Sequence, residues 1–280
     1  MNQPRDAACA AARLLDWRKP DLESEQLNPM PPHQSRDTGL PREGLLLGYS
    51  ALLALSAGFV NAVALLILAV PVGNLTGITT QLGMHTANPW LYEGHVLGAI
   101  FLGFLMGAAI AGAILAPTDA LAGPRHAAVL YLEAGLLVLA AAGGAETVVR
   151  AQINALGVEQ TAVQALFAAA ALGLQNGMTS SFRGMAIRTT HFTGTITDLG
   201  LILGRSRIHG IKNWKTAILA ATLVLFLGGG VAGIMFGAQL GGYALLIPAA
   251  ICATVGAANL LQGTVRSAAP VPERAERVRV

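Results

Sequence analysis

A short motif rich in threonine and glycine occurs twice in this chain, once in each half. The two copies, residues 74–83 and 191–200, share the pattern Thr-Gly-x-x-Thr-(Gln or Asp)-Leu-Gly and lie 117 positions apart. If each copy begins a helix, Thr76 or Thr193 can cap the first turn by accepting a backbone N–H, and the following glycine allows a tight turn. A helix start carries partial positive charge, so each copy predicts a place for a polar or anionic solute.

The candidate solute-binding residues are threonines of the two motifs and one asparagine upstream of each. Asn61 and Asn176 each close a Gly-x-x-Asn, which begins at Gly58 and Gly173. Both lie in apolar segments, where a polar side chain is costly unless it finds a partner. The alternative is structural, because small residues at this spacing also pack helices closely and asparagines also link them. The predicted set is Asn61, Thr76, Thr80, Asn176, Thr193 and Thr197.

Two acidic residues are candidates for proton or ion coupling. Asp198 stands in the second motif where the first has the neutral Gln81, and Glu133 lies well inside an apolar segment. Ionisable side chains in membrane segments are rare and commonly functional. The alternative for Asp198 is an ion pair with Arg183, Arg188 or Arg205, or exposure at the inner surface. The alternative for Glu133 is a hydrogen bond to a neighbouring helix or a position nearer the membrane surface.

The cysteines and histidines do not predict a metal site or a disulfide. Cys9 lies in a polar tail and Cys252 in an apolar segment, so a disulfide framework is not expected. His85 and His95 lack a matching set of ligands. We therefore expect no metal and no cofactor.

An enzyme embedded in the membrane is a weaker alternative function. It would use Asp198, Glu133 or His191, but no acid–base pair of known spacing stands out. Ser180 and Ser181 lack the Gly-x-Ser-x-Gly frame of serine hydrolases. We therefore predict no catalytic residues and no enzymatic activity.

The composition indicates that the elements holding these residues lie in a membrane. Of the 280 residues, 54% are hydrophobic and 12% charged, against about 25% charged in soluble domains. Residues 44–92 contain no Lys, Arg, Asp or Glu. The net charge of +3 comes from basic residues in tails and loops, so it indicates topology, and no motif for binding nucleic acid is present.

Six apolar segments are long enough to predict six membrane crossings. The positive-inside rule predicts that both chain ends lie in the cytoplasm. The cytoplasmic side then holds six basic residues between 183 and 215 and four in the C-terminal tail, whereas the outside holds Arg150 alone. The segments are, approximately, 45–70, 94–116, 127–144, 161–182, 217–237 and 243–261.

Three crossings in each half make the second half the reverse of the first in the membrane. We therefore predict an all-α polytopic membrane protein with six transmembrane helices in two inverted three-helix repeats, a plan common in secondary transporters. Each repeat contains a broken or re-entrant Thr-Gly motif. The predicted divisions are a disordered cytoplasmic tail (1–43), the first repeat (44–145), a connector (146–160), the second repeat (161–263) and a basic tail (264–280).

These residues resemble the signatures of the YoaK-like bacterial membrane proteins. The first signature corresponds to residues 58–61 and 74–83, and the second, a closer match, to residues 173–176 and 189–200. In that family the first asparagine position is often Asp, and the first motif often begins Met-Thr-Gly-Asn-Thr. Here Asn61 and Leu75-Thr76-Gly77-Ile78-Thr79 stand in those places. The resemblance implies a bacterial inner-membrane protein of unknown function, and no catalytic residue is carried over.

The predicted function is transport or channelling of a small solute at a site between the two motifs. The expected partners are the lipid bilayer and a small polar or anionic solute, without nucleic acid, and a homo-oligomer is left open. The alternative is a membrane scaffold or sensor that transports nothing, in which the repeat only packs helices.

Overall fold

The fold is described from a computed structural model that covers residues 39–90, 93–116, 123–144, 148–155, 157, 159–181, 189–209 and 213–268. These residues are helical or lie in turns, with no strand among them, so the all-helical prediction is confirmed for this part of the chain. From Leu40 onward the helices form one compact unit. In chain order they are α1 Gly39–Leu68, α2 Leu75–Ala87, α3 Gly94–Leu115, α4 Pro124–Gly144, α5 Val148–Ala155, α6 Gln160–Ser180, α7 Phe192–His209, α8 Asn213–Leu240, a 3-10 turn Gly241–Leu245, and α9 Leu246–Ala268.

Four helical ranges in the described part of the chain are long and apolar enough to cross a membrane. They are Gly48–Leu68, Gly94–Leu115, Pro124–Gly143 and Thr216–Leu261. The last range contains α8, the 3-10 turn and α9, and therefore includes two of the six predicted segments. The predicted segment 161–182 is not among the four ranges.

Helix α6, which occupies that segment, differs from the other long helices in its surroundings. Most of its residues from Gln164 onward are buried, including Gln175 and Asn176. Its polar side chains lower its hydropathy, and neighbouring helices rather than solvent or lipid cover them. The prediction of six crossings therefore goes beyond the four ranges found.

The closest helix packing involves glycines that sit in equivalent places in the two halves. In α1, a Cβ at Gly58 would come within 3.0 Å of the backbone of Phe226 in α8. In α6, a Cβ at Gly173 would come as close to the backbone of Phe104 in α3. Only glycine permits such an approach. Each half therefore places its first long helix against the second long helix of the other half.

A second pair of contacts repeats this arrangement in reverse. Gly107 of α3 lies against the carbonyl of Ala170 in α6, and Gly229 of α8 lies against the carbonyl of Leu55 in α1. Position 170 follows 55 by 115 residues, as 173 follows 58, and position 229 follows 107 by 122, as 226 follows 104. The same backbone contacts thus occur twice at constant sequence offsets.

The predicted ends of the chain overlap the described helices only in part. The N-terminal tail (1–43) lies outside the described residues up to position 38, and α1 begins at Gly39 within its predicted limits. The basic tail (264–280) is helical as far as Ala268 and lies outside the described residues thereafter. The connector (146–160) contains the short helix α5.

Candidate functional site

A cavity of about 380 Å³ lies where the two motif helices begin. The starts of α2 and α7 line it with residues 73–76 and 190–193, although these segments are 117 positions apart. The cavity's remaining walls come from α3 and α6. Those lining residues are Phe104, Ala108, Asn176, Gly177 and Ser180.

The residue at the head of each motif arranges the first turn of its helix. Asn74 is the N-cap of α2, and its Oδ1 accepts the N–H of Gly77 at 3.1 Å. The sequence predicted Thr76 and Thr193 in this role, which is wrong for Thr76, because it already lies inside α2 and Asn74 caps that helix. Thr193 likewise lies inside α7. In the second copy the ring of His191 lies over Gly194, as Asn74 lies over Gly77. Both glycines leave room for the head residue.

The two upstream asparagines hold the backbone that leads into each motif. Oδ1 of Asn61 accepts the N–H of Gly73 at 2.8 Å, and Oδ1 of Asn176 accepts the N–H of Thr190 at 3.4 Å. Gly73 and Thr190 are equivalent to each other, because each immediately precedes the first residue of its motif, Asn74 or His191. Asn176 lines the cavity, whereas Asn61 lies behind it and reaches it only through Gly73. The two asparagines therefore position the site, and one of them also forms its wall.

The motif threonines divide into two pairs. Thr76 and Thr193 are exposed and line the cavity. Thr80 and Thr197 lie one turn further on and do not line it. Their hydroxyls donate to the carbonyls of Thr76 and Thr193 at 2.9 and 2.8 Å. Of the predicted solute-binding set, the cavity thus brings together Thr76, Asn176 and Thr193.

Neither coupling candidate lines the cavity. Asp198 is half-buried on α7, one turn beyond the lining residue Thr193. Glu133 is fully buried in α4, away from the lining residues. Of the arginines in the alternative interpretation of Asp198, Arg183 and Arg188 lie outside the described residues, and Arg205 is exposed on α7.

Glu133 belongs to a separate buried polar group between α1, α4 and α9. Cys252 lies beside its carboxylate, and Ser56 Oγ lies 3.8 Å from the Cys252 sulfur. A thiol is a weak donor. Among the described residues, neither carboxylate oxygen of Glu133 has a hydrogen-bond partner. Nearby, Tyr49 accepts a hydrogen bond from Asn259 Nδ2 at 3.3 Å. The carboxyl group is thus enclosed with little to stabilise a negative charge.

The electrostatics of the cavity come from backbone rather than from charged side chains. Among the described residues, no Lys, Arg, Asp or Glu lines it, and His191 is its titratable side chain. The amino ends of α2 and α7 both open on this space, and a helix amino end carries partial positive charge. The cavity can therefore accept a polar or anionic group without a full countercharge.

Some residues of the site gave no strong signal in the sequence. Gln175 is buried and donates from Nε2 to the Leu53 carbonyl at 2.7 Å and to Thr189 Oγ1 at 2.9 Å. It joins α6 to α1 and to the loop before the second motif, and the first half has Val60 in its place. Phe192 and Phe226 pack their rings with centroids 4.2 Å apart beside the cavity. Long-range contacts of this kind have no local sequence pattern.

Residues that can hold a metal lie away from the cavity, at the starts of α3 and α6. Glu93, His95 and Glu159 place their ligand atoms within 4.8 Å of one another. The sequence did not predict this group, because Glu159 follows His95 by 64 positions.

Comparison with known families gives one match. The sequence model of a family described as a protein of unknown function, DUF1275, matches residues 49–258, which include both motifs and every residue that lines the cavity. No curated protein and no solved structure matches the chain.

Proposed function

The chain belongs to the DUF1275 family of proteins of unknown function, and from that premise we propose that it is a membrane transporter or channel for a small solute. The observation that carries this proposal is the shared cavity. Equivalent residues of two sequence copies, 117 positions apart, line one space of about 380 Å³. A solute site between two repeats is the usual arrangement in transporters built from internal repeats.

We propose that the two halves are inverted repeats with six crossings, formed by α1, α3, α4, α6, α8 and α9. The paired glycine contacts support this, because each contact recurs at a constant offset. The paired asparagine bonds support it too. Helix α2 has 13 residues and is about 20 Å long, too short for a hydrocarbon core of about 30 Å. It fits a half-helix that begins inside the membrane.

The solute that best fits the cavity is small and polar or anionic. The two helix starts favour negative charge or an acceptor group, as at other helix amino ends. Thr76, Thr193 and Asn176 add hydroxyl and amide groups to the wall. Phe104 and Phe192 supply apolar surface that limits the size of the solute.

Glu133 is the proposed proton carrier, and Asp198 the second coupling candidate. Glu133 is fully buried beside one weak donor, an environment in which a carboxyl group binds and releases a proton rather than keeping a permanent charge. Asp198 lies one turn from the cavity wall on α7. Its counterpart Gln81 cannot carry a charge.

A membrane scaffold is the second candidate. The internal hydrogen bonds of Thr80, Thr197 and both asparagines favour it, because these groups are satisfied without a solute. We propose no enzymatic activity. An inner-membrane location with both ends in the cytoplasm, and kinship with the YoaK-like proteins, are parts of the transport proposal.

Uptake into proteoliposomes tests the proposal. The purified chain is reconstituted and offered a panel of labelled small anions and polar metabolites, with protein-free vesicles as the blank. Flux of a defined solute, saturable with concentration, is the expected result. No flux for any member of the panel contradicts transport and favours the scaffold.

Two matched threonine variants locate the path. Thr193→Val removes a hydroxyl that lines the cavity, and Thr197→Val removes one that does not. A lost hydrogen bond of about 1 kcal/mol lowers apparent affinity about fivefold. We expect that loss for Thr193→Val and native uptake for Thr197→Val. Equal effects of both variants would place the path elsewhere.

A further inference from the structure

We propose that Glu93, His95 and Glu159 form a site for a divalent transition-metal ion at the starts of α3 and α6. One imidazole and two carboxylates bring their ligand atoms within 4.8 Å of one another. His95 Nε2 and Glu159 Oε2 are in direct contact. Imidazole and carboxylate together suit Zn²⁺ and its neighbours in the first transition row, and the exposed fourth position is open to water or another ligand.

The two glutamates are placed for a ligand and not for helix capping. Glu93 is the N-cap of α3 and Glu159 the N-cap of α6, yet neither side chain makes a capping hydrogen bond. Both carboxylates, which are 66 positions apart in sequence, instead lie within 4.8 Å of the His95 ring nitrogen. Bringing two carboxylates together is unfavourable unless a positive charge lies between them. A metal ion supplies that charge.

The three ligand atoms lie close enough together for small side-chain rotations to arrange them around one ion. Zinc ligands lie about 2.1 Å from the metal, so two of them at a tetrahedral angle are roughly 3.4 Å apart. The side chains of His95 and Glu159 are 55% and 43% exposed, so both can rotate to take up that spacing around an ion. The backbone between the first two ligands is held in place, because the ring of His85 fills the space beside Gly94.

A bound ion would connect the first turns of α3 and α6, and later residues of both helices line the cavity. Helix α3 contributes Phe104 and Ala108 to that cavity, and α6 contributes Asn176 and Gly177. The ion itself would sit at the first turns, whereas the residues that line the cavity lie near the middle of α3 and in the last turns of α6. Metal binding and solute flux are therefore separate properties, and each is measured without the other.

Zinc binding by the full chain tests this site. The protein is purified in detergent with a tag free of histidine, stripped with a chelator, and titrated with Zn²⁺ against a chromophoric indicator. We expect one ion per chain and affinity at least about tenfold weaker in each of Glu93→Gln, His95→Ala and Glu159→Gln. Asp198→Asn, which removes a carboxylate elsewhere, is the matched control and should bind zinc as the native chain does.

Thermal unfolding adds a readout of the folded state. Zinc should raise the unfolding midpoint of the native chain and of Asp198→Asn, because an ion bound only to the folded form stabilises it. It should leave the midpoint of Glu159→Gln unchanged. No zinc bound to the native chain, or native affinity in all three cluster variants, overturns the proposal.

Discussion

Replacing Asn61, which does not itself line the cavity, with leucine should destabilise the first motif. Asn61 Oδ1 accepts the N–H of Gly73 at 2.8 Å, a good length for this bond. Gly73 is buried, and this is its hydrogen bond among the described residues. Leucine has a similar volume but no acceptor, so the amide would lose its partner away from water.

The size of the effect follows from the burial and length of the bond. A buried donor left without a partner costs about 1–3 kcal/mol, so we expect that loss for Asn61→Leu. The equivalent bond of Asn176 is 3.4 Å long, and Thr190 is only half-buried. Water can replace part of that bond. Asn176→Leu should therefore cost less than about 1 kcal/mol through this contact.

Thermal unfolding in detergent measures both variants. At about 2–4 °C per kcal/mol for a chain of this size, Asn61→Leu should lower the midpoint by about 2–12 °C. Asn88→Leu is the control and should shift it little, because Asn88 is exposed and water can replace its 3.3 Å bond from the Trp90 N–H. A native midpoint for Asn61→Leu, or a larger loss for Asn176→Leu, would show that these distances do not govern the stability of the motif.

Three further variants test other parts of the structure. Gly58→Leu should prevent normal folding, because its side chain would overlap the backbone of Phe226. Gly112→Leu, in open space, should give a native elution profile in size-exclusion chromatography. Equal elution profiles for the two variants would refute the close packing. Asn74→Ala should lower the free energy of unfolding by about 1 kcal/mol, because the helix cap is lost, whereas Asn74→Asp should retain the cap. Equal thermal midpoints for the two variants would contradict the capping role. Glu133→Gln should keep the fold but abolish uptake driven by a pH gradient, while uptake down a solute gradient persists. Proteoliposomes with imposed gradients measure both kinds of uptake. Uptake driven by the pH gradient in Glu133→Gln would show that the residue does not couple protons to transport.

Most helices were predictable because their limits follow from long apolar runs. Segments 94–116 and 127–144 correspond closely to α3 and α4. Hydropathy does not identify α6 as a membrane-spanning helix, because most of it is buried and its buried amide nitrogens of Gln164 and Gln175 donate to protein groups. A scale based on transfer into lipid describes the lipid-facing helices, and α6 is largely enclosed by protein.

The site was predictable in outline from the repeat but not in its hydrogen bonds. Two equivalent motifs indicated two equivalent helix starts, and both line one cavity. The sequence did not show that Asn74 would take the cap in place of Thr76. It also did not show that Thr80 and Thr197 would bond within their own helices. Such choices depend on rotamers and distances of a few tenths of an ångström, which a pattern of residue types does not contain.

The crossed packing of first and second helices has a consequence for biosynthesis. Gly58 meets the backbone of Phe226, which the ribosome adds 168 residues later. At about 5–20 residues per second, α1 waits roughly 10–30 s for the helix that covers its glycine face. During that interval it must rest against lipid, the insertion machinery or a temporary neighbour. The N-terminal half alone therefore lacks the α8 backbone that packs on Gly58 in the complete chain.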